Sequence, residues 1–173
     1  MMDAYIKIQC KDGVEFNANK RILNFCKVLS SMPGFEDEHI KLELSGGIFQ
    51  KVYEFCQHFN FDYTRVKGIQ KPIQTSNFEL ITDEWCGKFF KSLSEDELGE
   101  LMMASQYLQS QYLFDYACSF IACCFKDLTL EETKQKFEIT EDITPDVEDQ
   151  LKKEYGVIFK DLGQGMDIEK KLQ

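Results

Sequence analysis

Histidine, positive charge, long apolar runs and compact catalytic signatures are scarce or missing in this 173-residue chain. Each absence removes a class of protein. Only His39 and His58 could supply an imidazole, so thiol or serine hydrolysis built on a positioned histidine has little to work with. Gly-x-Ser-x-Gly does not occur, nor does Gly-x-x-x-x-Gly-Lys-Ser/Thr or Gly-x-Gly-x-x-Gly, which speaks against α/β-hydrolase, P-loop and dinucleotide chemistry. Lys and Arg total 20 against 30 Asp and Glu, for a formal charge of -10 and a pI near 4.7. Nucleic-acid affinity rests on clustered cations, so no nucleic-acid partner is expected. The most nearly apolar run, Tyr116 to Phe125, is far short of the roughly 20 residues that span a bilayer. No membrane partner is expected either. Met1-Met2-Asp3-Ala4 lacks a basic region followed by an apolar run, so no secretory leader is expected.

Seven cysteines are scattered without a Cys-x-x-Cys pair, an odd set that reads as reduced thiols in an intracellular protein. Cys56-Gln57-His58 brings a thiol and an imidazole together. A structural zinc ion needs four clustered ligands, and no second pair stands at matching spacing. No metal site, cofactor or catalytic residue is therefore expected. The 30 carboxylates are spread over helix starts and exposed faces, as solvating groups are. What the chain has in abundance is aromatic area: 15 Phe, seven Tyr and one Trp within a 43% hydrophobic composition. That is enough for a packed core, which is the default use of such area, and any fraction left exposed is a candidate docking face.

Ile6, Ile8 and Cys10 alternate with polar residues, Asp12-Gly13 supplies a tight turn, and Val14, Phe16 and Ala18 alternate again. This pattern predicts a β-hairpin. Ile22, Phe25, Cys26 and Leu29 then follow helical spacing within 20–30 until Pro33-Gly34. Ile40, Leu42 and Leu44 read as a third strand. Beyond Gly46-Gly47, a helix carries one stripe of Ile48, Val52, Phe55 and Phe59 and another of Phe49, Tyr53 and Cys56, which places it centrally. Residues 60–80 lack periodicity and read as a long, mobile surface loop. Ser94 to Glu97 and Thr129 to Glu132 have the form of capping boxes, and Thr144-Pro145-Asp146 is a third helix start. Between them Leu113, Tyr116, Ala117, Phe120, Ile121 and Cys124 form the clearest helical stripe, with Cys124 inward and Cys123 toward the flank. Strands followed by helices make an α+β fold. After Thr129 the helices carry few apolar residues and need the domain or a partner to cover them.

Several of these features occur together in one family. The Ile6-Lys7-Ile8 strand with Asp12-Gly13, Ile40-Lys41-Leu42 before a helix, Trp85 followed by Phe89, Glu100 to Leu108, and Phe137-Glu138-Ile139 before Thr144 carry the likeness. The chain resembles the S-phase kinase-associated protein family, adaptors that join F-box proteins to the cullin scaffold in SCF ubiquitin ligases. The strands alone would fit elongin C or other BTB/POZ domains, and Trp85 with the two extra helices favours the adaptors. The resemblance implies a BTB/POZ-like domain over 1–125, F-box-binding helices over 126–160 and a flexible tail over 161–173. It implies a non-catalytic protein of cytoplasm and nucleus, with F-box proteins and a cullin as partners. Gln106 and Tyr107 fall where the family carries the Asn-Tyr of its cullin contact, and Tyr107 reads either as an anchor there or as a core tyrosine at a helix end. Leu113, Phe114, Phe120, Ile121, Phe137, Ile139, Val147, Leu151 and Tyr155 become candidates for F-box binding or for the core. Pro145 coincides with a position that some protist members hydroxylate and glycosylate.

The departures are specific. Gln106 replaces Asn, Cys86 replaces the acid after the Trp, and Gly99 stands where a large apolar residue is usual. Arg65, Lys67 and Lys71 occupy a loop that is acidic in the family, and Val157-Ile158 stands where it ends in Trp-Cys. The alternative expectation is a cullin-independent structural subunit that binds an F-box-like helix in a kinetochore, cytoskeletal or other assembly.

Overall fold

Alternation at the start of the chain does set the first two strands. The computed structural model describes residues 4–136, 140, 144–147, 149–150 and 153–154. In it β1 (Tyr5–Cys10) pairs antiparallel with β2 (Glu15–Asn19), with Ile6 opposite Ala18 and Ile8 opposite Phe16. β3 (His39–Leu42) runs parallel to β1 on its other side, so the sheet order is β2-β1-β3. Gly13 takes the left-handed conformation at the turn, where a side chain would be strained. Asp12 beside it accepts from the Gly46 N–H at 2.7 Å, tying the hairpin tip to the start of α1 (Gly46–His58). Val14, expected inward, lies outside the strand and is 44% exposed; it covers Gly46 instead of the sheet face.

The helix expected over 20–30 is two 3-10 turns, Lys20–Asn24 and Lys27–Ser31. Cys26 between them, at φ -114° and ψ 75°, breaks the helical path. Ile22, Phe25, Cys26 and Leu29 are buried all the same, so burial was legible where the hydrogen-bond pattern was not. Both stripes of α1 are covered, Tyr53 partly, and its core-facing rings meet those of later helices. Phe55 packs edge-on against Phe25, Phe59 and Tyr116.

Residues 60–80, expected as a mobile surface loop, are anchored at several points. Asn24 donates to the Phe61 carbonyl at 2.8 Å, Phe61 and Val66 are buried, and the Tyr116 hydroxyl donates to the Lys67 carbonyl at 3.0 Å. The Cys123 thiol donates to the Thr75 carbonyl at 3.3 Å, and buried Phe78 opens a short helix, α2 (Phe78–Ile81).

Asp83 caps α3 (Glu84–Lys91) by accepting from the Cys86 N–H at 2.8 Å. The expected capping box starts α4 (Glu95–Tyr107): the Glu97 N–H donates to the Ser94 hydroxyl, and the Ser94 N–H donates back to the Glu97 carboxylate. α5 (Gln111–Phe125) then crosses the aromatic core. Its inner face is rotated from the expected stripe, because Cys123 is buried under Thr75 whereas Cys124 is exposed. These elements belong to one compact unit, Met1–Leu128. The second unit, Thr129–Gln173, begins with α6 (Leu130–Lys136), whose own capping box joins Thr129 and Glu132. Residues 145–147 are helical, as the Thr-Pro-Asp start requires. No described helix is long and apolar enough to cross a membrane.

Candidate partner-docking surfaces

The end of α4 sorts its side chains sharply. Leu101, Ala104, Ser105 and Leu108 are buried, while Gln106 is exposed, Tyr107 is 38% exposed and Met103 is 69% exposed. Met103 and Tyr107 lie one turn apart on the same helix face, so they form one apolar strip. The Ser110 N–H donates to the Ser105 carbonyl at 2.7 Å, and Gln109 takes φ 53°, which turns the chain abruptly into α5. Tyr107 is therefore not a core tyrosine but a partly exposed one at a fixed corner. Tyr112, early in α5, stacks on Tyr63 with centroids 6.0 Å apart, and both rings are partly exposed. Sequence reading missed Met103, Tyr63 and Tyr112. Met103 was findable from its spacing to Tyr107, but Tyr63 reaches Tyr112 only through the tertiary fold.

Along α5 the candidate residues divide. Leu113 is fully buried, a correction to its place on a docking face: it serves the core. Phe120 is half-buried and already packs edge-on against Phe78 at 5.3 Å and stacks on Phe90 at 5.5 Å. Phe114 and Ile121 are half-buried and keep area for a partner. An open groove of about 540 Å³ runs beside them, between Ile73 and the Cys118, Ser119, Ala122 and Phe125 face of α5. Lys71 reaches Asp115 across its rim at 3.5 Å. Pro145 and Val147 are exposed on the second unit. Phe137, Ile139, Leu151, Tyr155, Val157-Ile158 and the 161–173 tail lie outside the described residues.

A polar cluster stands apart from these faces. His58 near the end of α1 stacks on Trp85 with ring centroids 4.1 Å apart and planes 6° apart, and its Nε2 lies 3.0 Å from Asp83 Oδ2. Cys86 is fully buried beside them. Burial, and then the Asp83 carboxylate, push its thiol far above the usual range. Burial alone would raise Asp83, but the Cys86 N–H and His58 outweigh it and hold that carboxyl below its ordinary value.

The Skp1 family model, described as a dimerisation domain, matches residues 111–158, which cover α5, α6 and the segment beyond. An S-phase kinase-associated protein 1 homolog of Tetrahymena thermophila is 31% identical over 121 residues, 70% of this chain and 72% of the relative. This chain belongs to the Skp1 family. An Arthroderma benhamiae protein named as the SCF ubiquitin ligase subunit sconC is 28% identical over 153 residues, covering 86% of this chain and 92% of its own. The suppressor of kinetochore protein 1 of Schizosaccharomyces pombe is 29% identical over 153 residues, covering 86% and 94%. The three-stranded sheet with its helices is thus the α+β, BTB/POZ-like fold of Skp1 proteins.

Proposed function

We propose that this Skp1 family member is a non-catalytic adaptor that holds F-box substrate receptors and presents them to a cullin scaffold in an SCF-type ubiquitin ligase. The observation that carries the reading is the corner of α4, where Met103 and Tyr107 stay exposed while Leu101, Ala104 and Leu108 close the core beneath them. An apolar strip on a rigid base suits a protein partner, because little ordering entropy is lost on docking. In this reading Gln106 and Tyr107 meet the cullin. Phe114, Ile121 and the exposed part of Phe120 meet the F-box, together with Phe137, Ile139, Val147, Leu151 and Tyr155. The mechanism is proximity: two bound partners act at a high effective concentration toward each other. The adaptor works in cytoplasm and nucleus.

The test is capture from the source cell with wild-type protein and Tyr107→Ala. Recovery of F-box proteins with a cullin supports the reading, and Tyr107→Ala reduces cullin recovery about tenfold or more while F-box recovery holds. Equal loss of both assigns Tyr107 to the fold, and recovery of neither by wild type sinks the adaptor. The kinetochore relative favours a second reading, in which the same fold serves an assembly outside ubiquitination. F-box proteins or scaffold proteins recovered without a cullin select it.

A further inference from the structure

His58, Asp83 and Cys86 come from the end of α1 and the start of α3, and one potential ligand atom from each lies within 4.8 Å of the other two. We propose that these three side chains bind one divalent ion of the zinc class, linking α1 to α3. The donors are an imidazole nitrogen, a carboxylate oxygen and a sulfur, a mixed set that suits Zn²⁺ and not the hard, all-oxygen preference of Mg²⁺ or Ca²⁺.

Geometry favours capture with small movement. Bond lengths of about 2.0–2.3 Å in a tetrahedral site place ligand atoms about 3.3–3.8 Å apart, with a nitrogen–oxygen pair at the short end. His58 and Asp83 are already closer than that at 3.0 Å, so the group must only open there and close toward sulfur. The ligands are held from outside. Trp85 lies flat on the His58 ring, and the Cys86 N–H fixes Asp83 Oδ1, leaving Oδ2 to face the imidazole. Such outer contacts orient ligands in metal sites. The His58 and Asp83 side chains are 24% and 41% exposed while Cys86 is fully buried, so an ion would enter from the His58 and Asp83 side and a water there would complete the coordination. Binding replaces the His58–Asp83 contact, in which the imidazole N–H donates to the carboxylate, so Nε2 becomes a ligand as its proton moves to Nδ1 through solvent, and the Cys86 thiol proton is released to solvent. The chain sequence hides this site because Asp83 and Cys86 are separated from His58 by the whole 60–80 segment.

The test uses the full-length protein after chelator treatment, titrated with Cd²⁺ and, separately, Co²⁺. Cd²⁺ gives a thiolate charge-transfer absorption that saturates at one ion per chain. Co²⁺ quenches the emission of Trp85, the one tryptophan in the chain, because the His58 ring that would carry the ion stacks on the indole with centroids 4.1 Å apart. Cys86→Ser abolishes the absorption, and Asp83→Asn, which keeps a capping oxygen for α3, weakens binding by at least about tenfold. Cys124→Ser, which removes an exposed thiol, leaves both signals unchanged. Circular dichroism checks each variant, and Asp83→Asn decides should Cys86→Ser lose structure. Absence of saturable quenching by wild type, or unaltered affinity in Asp83→Asn or a folded Cys86→Ser, overturns the proposal.

Discussion

Two glycines on successive helices should respond to alanine with opposite signs. Gly99 sits in α4, exposed, and a Cβ built there meets nothing within 4 Å. Alanine gains the helix-propensity difference of about 1 kcal/mol and loses no contact. Gly87 sits in α3, buried, and a Cβ there would lie 2.1 Å from Glu79 Cγ and 2.7 Å from its Oε1. The same propensity gain is set against overpacking of about 1–3 kcal/mol, since clearing Cγ takes a new χ1 rotamer at Glu79 or a shift of α2 against α3. Displacing Glu79 also breaks its 2.8 Å pair with Lys91, but Lys91 is 62% exposed, so this adds only about 0–1 kcal/mol. The balance for Gly87→Ala is a loss of about 0–3 kcal/mol, centred near 1.5. Thermal unfolding followed by circular dichroism should put Gly99→Ala about 2–4 °C above wild type and Gly87→Ala a similar amount or more below it. Equal midpoints for the two variants would refute the reasoning. They would mean that Glu79 moves freely and that α2 does not define the packing of α3.

Three further outcomes follow from the same geometry. Asp83 is held below the ordinary aspartate value of 3.8, so it stabilises the folded state above that pH and the contribution is lost as pH falls through its lower folded value. Asp83→Asn should flatten the acid limb of a stability-against-pH curve, and an unchanged slope below about pH 4 would contradict this. Tyr116→Phe deletes the buried hydroxyl bonded to the Lys67 carbonyl at 3.0 Å; it should cost about 1–2 kcal/mol in denaturant unfolding and speed amide exchange in the segment before α2, and unchanged exchange would show that the bond does not hold that segment. Gln106→Asn restores an amide one methylene shorter at an exposed site near the end of α4, so its stability should shift by only a few tenths of a kcal/mol, and any larger change measured by calorimetry in cullin affinity reports the interface alone.

Local chemistry explains which features could be read from the chain. The hairpin, β3, α1, both capping boxes and α5 each announce themselves through residues within a few positions of one another, and the structure places them as their periodicity requires. Misreadings occur where distant residues decide. Lys20 to Ser31 has helical spacing, but burial against α1 is achieved by two 3-10 turns. The 60–80 segment has no period because its anchors are distant in sequence, at Asn24 before α1 and at Tyr116 and Cys123 on α5. That same packing buries Cys123 and turns Cys124 outward, reversing the reading from the stripe. Of the candidate site, Tyr107 could be placed at a helix end from sequence, but its exposure depends on how Gln109 and Ser110 redirect the chain.

The division of labour on α5 sets what a partner can use. Leu113, Tyr116 and Ala117 are committed to the core, and Phe120 is partly used up by an edge-on contact with Phe78 and a stack on Phe90. A partner gains most from area that the domain has not already covered, at about 25 cal/mol per Å² removed from water. That area lies on Phe114 and Ile121 and along the groove floor at Cys118 and Ala122. Lys71 and Asp115 at the rim satisfy each other across 3.5 Å, so an incoming apolar helix need not supply a charge to either. On the proposed adaptor reading, this face would select for shape and apolar content along most of its length. Since the His58–Asp83–Cys86 cluster uses α1 and α3 and none of these α5 residues, an ion bound there would leave this face intact.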